Sequence, residues 1–183
     1  MAVNTWTAGT TTGATMATEF NKVANALNTL GQYSHAASVA LTTTPSALPM
    51  NTNNFQSGSV THSTTVNNTR IVAVTDGEFI FTMQPQATHL TTGTGSCTFW
   101  LRKNGTTPVS DSSIFFRLSG VIGSAPVIIT CPIVLAPNDY IEVMAVATAN
   151  SEHEVTYTAG SGSGATAIPN IPSIITTITQ LPL

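Results

Sequence analysis

Apolar positions along this chain recur at two periods. The longer one is confined to a short stretch near the N-terminus, where Met16, Phe20, Val23, Leu27 and Leu30 stand 4, 3, 4 and 3 residues apart. That spacing is the a/d seam of a helix over two heptads. Thr15 is the candidate N-cap, Glu19 falls in the first turn, and Gly31 follows the last apolar residue as a stop. A lone helix of this length is marginal in water. The seam therefore predicts a partner: sister copies of the helix, another protein, or the chain's own β region. Residues 1–14 ahead of it are small and polar except for Trp6, which is either the anchor of an extended arm or part of a disordered N-terminus.

Beyond the helix the period drops to two. Residues 32–68 read as loop with short extended pieces, because Pro45, Pro49 and the run Asn51-Thr52-Asn53-Asn54 break regular structure, and 57–65 alternates weakly as an edge strand. Strands are predicted at 69–75, 78–83, 97–101, 114–118, 127–135, 140–147, 152–158 and 173–180, with a flexible Gly/Ser loop at 160–164. Asn104-Gly105 supplies the two positive-φ positions of a type I′ hairpin turn. Short strands separated by turn signals predict an all-β chain, a sandwich or jelly roll.

Several strands are apolar on both faces. Val127, Ile129, Cys131, Ile133 and Leu135 share one face, while Ile128, Pro132 and Val134 share the other. Ile141, Val143 and Ala145 oppose Tyr140, Met144 and Val146, and Trp100 opposes Cys97, Phe99 and Leu101. A two-sheet sandwich buries one face of each sheet. A second apolar face predicts a further layer, supplied most simply by another subunit. Trp100, Ile128, Val134, Tyr140 and Met144 are the candidate subunit-interface residues.

Composition narrows the function classes. Only 7% of residues are charged, and the net charge is −3. A basic face for nucleic acid or for an anionic membrane surface is excluded by that balance. No apolar run approaches the ~18 residues of a membrane span. The first 30 residues carry neither a basic segment nor an apolar one, which predicts no secretory address. Thr (33), Ser (16) and Asn (13) fill the places that charges usually take. So little charge suits a chain whose surface is partly covered by sister subunits.

The inventory of chemistry is short. His35, His62, His89 and His153 are scattered and show no zinc-site spacing, and nucleophile-elbow, phosphate-loop and dinucleotide motifs are absent from the sequence. In Glu152-His153-Glu154 the carboxylates share one strand face and His153 takes the other, which reads as an exposed polar strand end. Cys97 and Cys131 read as buried, reduced thiols. No catalytic, metal or cofactor site is predicted.

Four pieces in order resemble the C1q/TNF-like jelly-roll family: Gly77…Phe79-Ile80-Phe81; Phe99-Trp100-Leu101-Arg102-Lys103-Asn104-Gly105; Val134-Leu135…Asn138-Asp139-Tyr140-Ile141-Glu142-Val143; and Pro172-Ser173-Ile174-Ile175-Thr176. The similarity spans residues 40–183. Asn138 stands where the family often has Gly, and the family's closing aromatic-Gly motif is absent, so the chain looks more like the bacteriophage members than the animal cytokines. Trp6-Thr7-Ala8-Gly9 with Thr15-Met16-Ala17-Thr18-Glu19-Phe20-Asn21 is similar to the opening of small phage virion proteins.

What the resemblance implies is a homotrimer located in the virion. Residues 1–31 would form an attachment stalk carrying Trp6, Met16, Phe20, Val23, Leu27 and Leu30, and 40–183 a trimerising display domain. The expected role is a structural capsid-decoration, head-fibre or tail-associated protein, held by other virion proteins. The alternative is a receptor-binding tip that grips a host glycan or surface protein through loops 86–96, 119–125 and 148–165. A free cytokine-like ligand is a third reading.

Overall fold

The computed structural model describes residues 13–91, 94–119, 123–150, 152–164 and 167–182. In chain order they form helix α1 (Gly13–Asn28) and strands β1 (Leu30–His35), β2 (Val39–Ala40), β3 (Ser46–Ala47), β4 (Thr52–Ser57), β5 (Val60–His62), β6 (Ile71–Ala73), β7 (Gly77–His89) and β8 (Thr94–Lys103). Then follow β9 (Thr107–Pro108), β10 (Ile114–Ser119), β11 (Gly123–Pro126), β12 (Ile129–Leu135), β13 (Tyr140–Ala147), β14 (His153–Val155) and β15 (Ile174–Gln180). Two antiparallel sheets result. The first runs β2-β14-β7-β15-β1-β4, with β11 and β12 on the other edge of β7; the second runs β10-β8-β13-β6-β5, with β3 and β9 at its margins.

The period-two pattern set most of these strands. Along β7, odd-numbered residues from Gly77 to His89 are buried and even-numbered ones are partly or fully exposed. The inner faces meet in one core that includes Tyr33, Phe79, Phe81, Phe99, Ile71, Leu101 and Ile141. The strand continues well past the predicted end at 83, through Pro85. Proline is tolerated there because partners change on both sides: β12 gives way to β11, and β15 to β14.

The N-terminal boundary differs from expectation. The helix starts at Gly13, so Thr15 lies within it and Glu19 sits beyond the first turn. It ends at Asn28, and Gly31 belongs to β1 rather than to a helix stop. Strand β1 lies between β15 and β4, so the sandwich begins at Leu30 rather than near residue 40. Glycine is required at 31 because a Cβ there would collide with the Tyr33 ring. The Asn-rich stretch read as a breaker supplies β4, an edge strand beside β1.

Candidate functional site

The Asn104-Gly105 turn forms as predicted, with φ of 53° and 72° and a Thr106 N–H to Lys103 C=O bond of 3.2 Å. It docks on the turn before β13. Asn104 donates its amide to Asp139 Oδ1 (2.7 Å) and accepts the Tyr140 N–H at Oδ1 (2.9 Å). The Lys103 ammonium lies 2.6 Å from Asp139 Oδ2, which also accepts the Ala136 N–H at 2.7 Å. The Asn104 amide, then Lys103 and the Ala136 N–H, hold the Asp139 carboxyl down at about 2. The two motif pieces around Lys103-Asn104-Gly105 and Asn138-Asp139-Tyr140 thus form a clamp between hairpins, a structural role.

Next to the clamp lies an ion cluster that sequence reasoning did not assemble. Glu142 is buried on the outer side of β13. Its Oε2 accepts from Arg102 Nε (3.0 Å) and Nη2 (2.8 Å), and its Oε1 accepts from the Thr69 hydroxyl (3.0 Å). Arg70 Nε lies 3.5 Å from Oε1, and its guanidinium carbon sits 4.4 Å above the Tyr140 ring. Met144, two residues further along the same side, is only 1% exposed. It was expected on a bare face. The single chain already covers it, so Met144 offers no surface to a partner, and Tyr140 is half-covered by Arg70.

The other predicted interface residues separate. Trp100 lies opposite Met144 on β8 and is partly buried. Ile128, in the link between β11 and β12, and Val134 on β12 are 61% and 67% exposed. Val134 lies on a wide outer face spanning β12, β7, β15, β1 and β4. Register places Pro132, Ile80, Thr179, Leu30 and Ser57 in one row across it, and Thr130, Thr82, Thr177, Gln32 and Phe55 in the next. Every one is at least partly exposed, and Glu78 is the charged residue among the described ones on these strands' outer side. The signal for this face was the Ile/Thr alternation of the strand at 173–180.

Helix α1 carries its seam into solvent. Met16, Phe20 and Val23 are exposed, Phe20 by 66%. Among residues 13–24 only Glu19 is partly buried. The described seam residues Met16, Phe20 and Val23 therefore do not pack into the β region. Leu30 sits on β1, not on the helix. Trp6 and the side chain of Leu27 lie outside the described residues.

His153 is not an exposed strand end. It is wholly buried against the equally buried His89, with ring centroids 4.7 Å apart. Burial, then the neighbouring His89, lower the His153 pKa, against the opposing pull of Glu152. Cys97 and Cys131 are free and buried, and desolvation raises the Cys97 thiol to about 11. The 160–164 stretch is tied rather than loose: Gly160 N–H donates to Asn170 Oδ1 at 2.7 Å, and bridges join Thr158 to Ile171 and Ser161 to Ile168.

No protein-family model matches this chain, and no curated protein matches it either. Solved structures do. The globular domain of zebrafish complement 1qA is similar with a TM-score of 0.53 and 11% identity, over 84% of this chain and 97% of that one. Murine APRIL at pH 5.0 is similar with a TM-score of 0.53 and 9% identity, over 83% and 98%. Two antiparallel sheets, their shared core and these likenesses together place the chain in the C1q/TNF jelly-roll fold.

Proposed function

We propose that this chain is a structural surface protein of a bacteriophage virion, a homotrimer of jelly rolls mounted by its N-terminal arm and helix. It is of the capsid-decoration, head-fibre or tail-associated type, and it works by assembly rather than by catalysis. The observation that carries the trimer is the bare outer face of β12-β7-β15-β1-β4, where Ile80, Leu30, Phe55 and Val134 sit among threonines with one carboxylate nearby. A face this poor in charge is a liability on a free monomer and suits burial against copies of itself. The exposed seam on α1 supports attachment, because Met16, Phe20 and Val23 stand exposed among the described residues. Virion origin rests on the likeness of residues 6–21 to the opening of phage virion proteins.

Light scattering of the purified chain tests the assembly. The expected mass is three times the 19.0 kDa of one chain. A well-behaved monomer at micromolar concentration overturns the trimer. Gold-labelled antibody on intact particles tests the location, and particles without label overturn it.

A further inference from the structure

A pocket opens on the outer side of the second sheet, away from the uncharged face. Thr61, Val72 and Tyr140 are direct cross-strand neighbours on β5, β6 and β13, so their side chains stand in a row. The 63–70 loop rises beside the row, and the cavity between them measures about 330 Å3. This wall is pre-formed. Ser63 Oγ accepts the Val66 N–H (3.1 Å), Arg70 N–H donates to Asn67 C=O (2.9 Å), and Met50 N–H donates to Asn68 C=O (2.7 Å). The Thr69 hydroxyl is bonded to Glu142, and the His62 ring nitrogens lie 2.8 and 2.9 Å from the carbonyls of Arg70 and Met50. A wall held by its own bonds loses little freedom when a ligand enters.

Arg70 is the cation that lines the cavity and remains open to it, with its side chain 37% exposed. Its guanidinium carbon rests 4.4 Å from the Tyr140 ring centroid, which limits its movement. Glu142 does not saturate it: its Oε2 accepts both Nε and Nη2 of Arg102, and Arg70 Nε reaches Oε1 only at 3.5 Å, without a hydrogen bond. Two arginines against one buried glutamate leave one net positive charge beside the pocket.

We propose that this pocket binds one carboxylate-bearing sugar unit of a glycan, with the carboxylate on the outer nitrogens of Arg70. The guanidinium fork matches a carboxylate in plane and spacing. Thr61, Ser63 and Asn67 offer neutral hydrogen-bonding groups for ring hydroxyls, and Val66 and Val72 offer apolar surface for a C–H face. The volume is at the low end of small-ligand pockets, roughly 300–1,000 Å3. An extended peptide fits less well, because it pairs with free backbone groups and the wall's N–H and C=O groups are largely taken. The proposal holds whether the chain stands alone or as three copies.

Titration of the full chain with methyl β-D-glucuronide and with the methyl glycoside of N-acetylneuraminic acid, followed by backbone amide shifts, tests it. Methyl β-D-glucoside, acetate and a short peptide with a free C-terminus are the controls. At least one acidic sugar should shift residues 61–72 and 140, and bind at least fivefold tighter than every control. Arg70→Gln should weaken that binding at least tenfold. Thr61→Glu, at an exposed strand position, should do the same through charge repulsion, and serves alone if the Arg70 variant fails to fold. No binding by either acidic sugar overturns the proposal. So does equal binding of the neutral glucoside, of acetate or of the peptide, and so does binding that both variants leave unchanged.

Discussion

The two outer faces of this sandwich handle exposure in opposite ways. On β13, outward side chains are sealed from within the chain: Arg102 and Thr69 cover Glu142, Arg70 lies on Tyr140, and Met144 is buried. On β12-β7-β15-β1-β4, the two outward rows are mostly threonine, aliphatic and uncharged polar side chains with Phe55, and each is at least partly exposed. Three of the five basic residues, Arg70, Arg102 and Lys103, serve the first face. With so few charges to place, the fold concentrates them where loops must be pinned and leaves the other face neutral. The sealed face is finished in one chain, and the bare one is the face we propose for burial against sister copies.

The largest expected effect comes from charging the bare face. Val134→Lys with Thr179→Lys puts two ammonium groups on exposed positions of β12 and β15. Their desolvation in an interface costs several kcal/mol. Scattering mass should fall from three chains to one while the β spectrum in circular dichroism is kept. A trimer that survives both charges places the interface elsewhere.

Next comes the sealed face. Glu142→Gln leaves Arg70 and Arg102 without their carboxylate. Breaking a buried pair costs about 3–5 kcal/mol, and partial exposure of both arginines puts this case near the low end. Urea unfolding at fixed protein concentration should register the loss. A change below about 1 kcal/mol would mean that the network holds the loop without stabilising the fold.

Acid should act in two separate steps. His153 has a lowered pKa, so the unfolded chain takes up its proton first, and stability falls as pH drops below the ordinary histidine value of 6.5. The charged or titratable groups acting on His153 are His89 and Glu152, and Glu154 stands on the opposite strand face. Asp139 has a depressed pKa, so its contribution is intact above the ordinary carboxyl value of 3.8 and is lost toward about 2. Thermal midpoints across pH should bend in both windows. His153→Gln should reduce the upper bend but leave the part that buried His35, also lowered by desolvation, contributes, and Asp139→Asn should act only on the lower.

The smallest effect on stability belongs to the helix. Phe20→Asp with Val23→Asp changes exposed residues and should shift the sandwich's unfolding free energy by no more than about 0.5 kcal/mol. The same variant should vanish from purified particles. Normal decoration would move attachment onto the jelly roll.

Much of the fold was legible in the chain because its signals are local. The pleat sends alternate residues to opposite faces, so the buried series at 141–147 and 174–180 could be read directly. Asn104-Gly105 declared its turn because few other residues adopt two positive φ values in succession. Strand β1 was hidden because Gly31 and Leu30 also satisfied a helix-end pattern, and β4 because asparagine signals a turn wherever no neighbour pairs it. His153 was assigned the correct face, but not its burial against His89, 64 positions earlier.

Alternation, turn chemistry and charge count by themselves determined an all-β sandwich with a short amphipathic helix and unusually neutral surfaces. Only the tertiary structure decided which outward face stays bare. Periodicity tells which way a side chain points, but what covers it comes from loops distant in sequence. Met144 and Val134 carry the same apolar, outward-pointing signature. The first is buried and the second is 67% exposed, because the chain's own loops and neighbouring strands close over one and not the other.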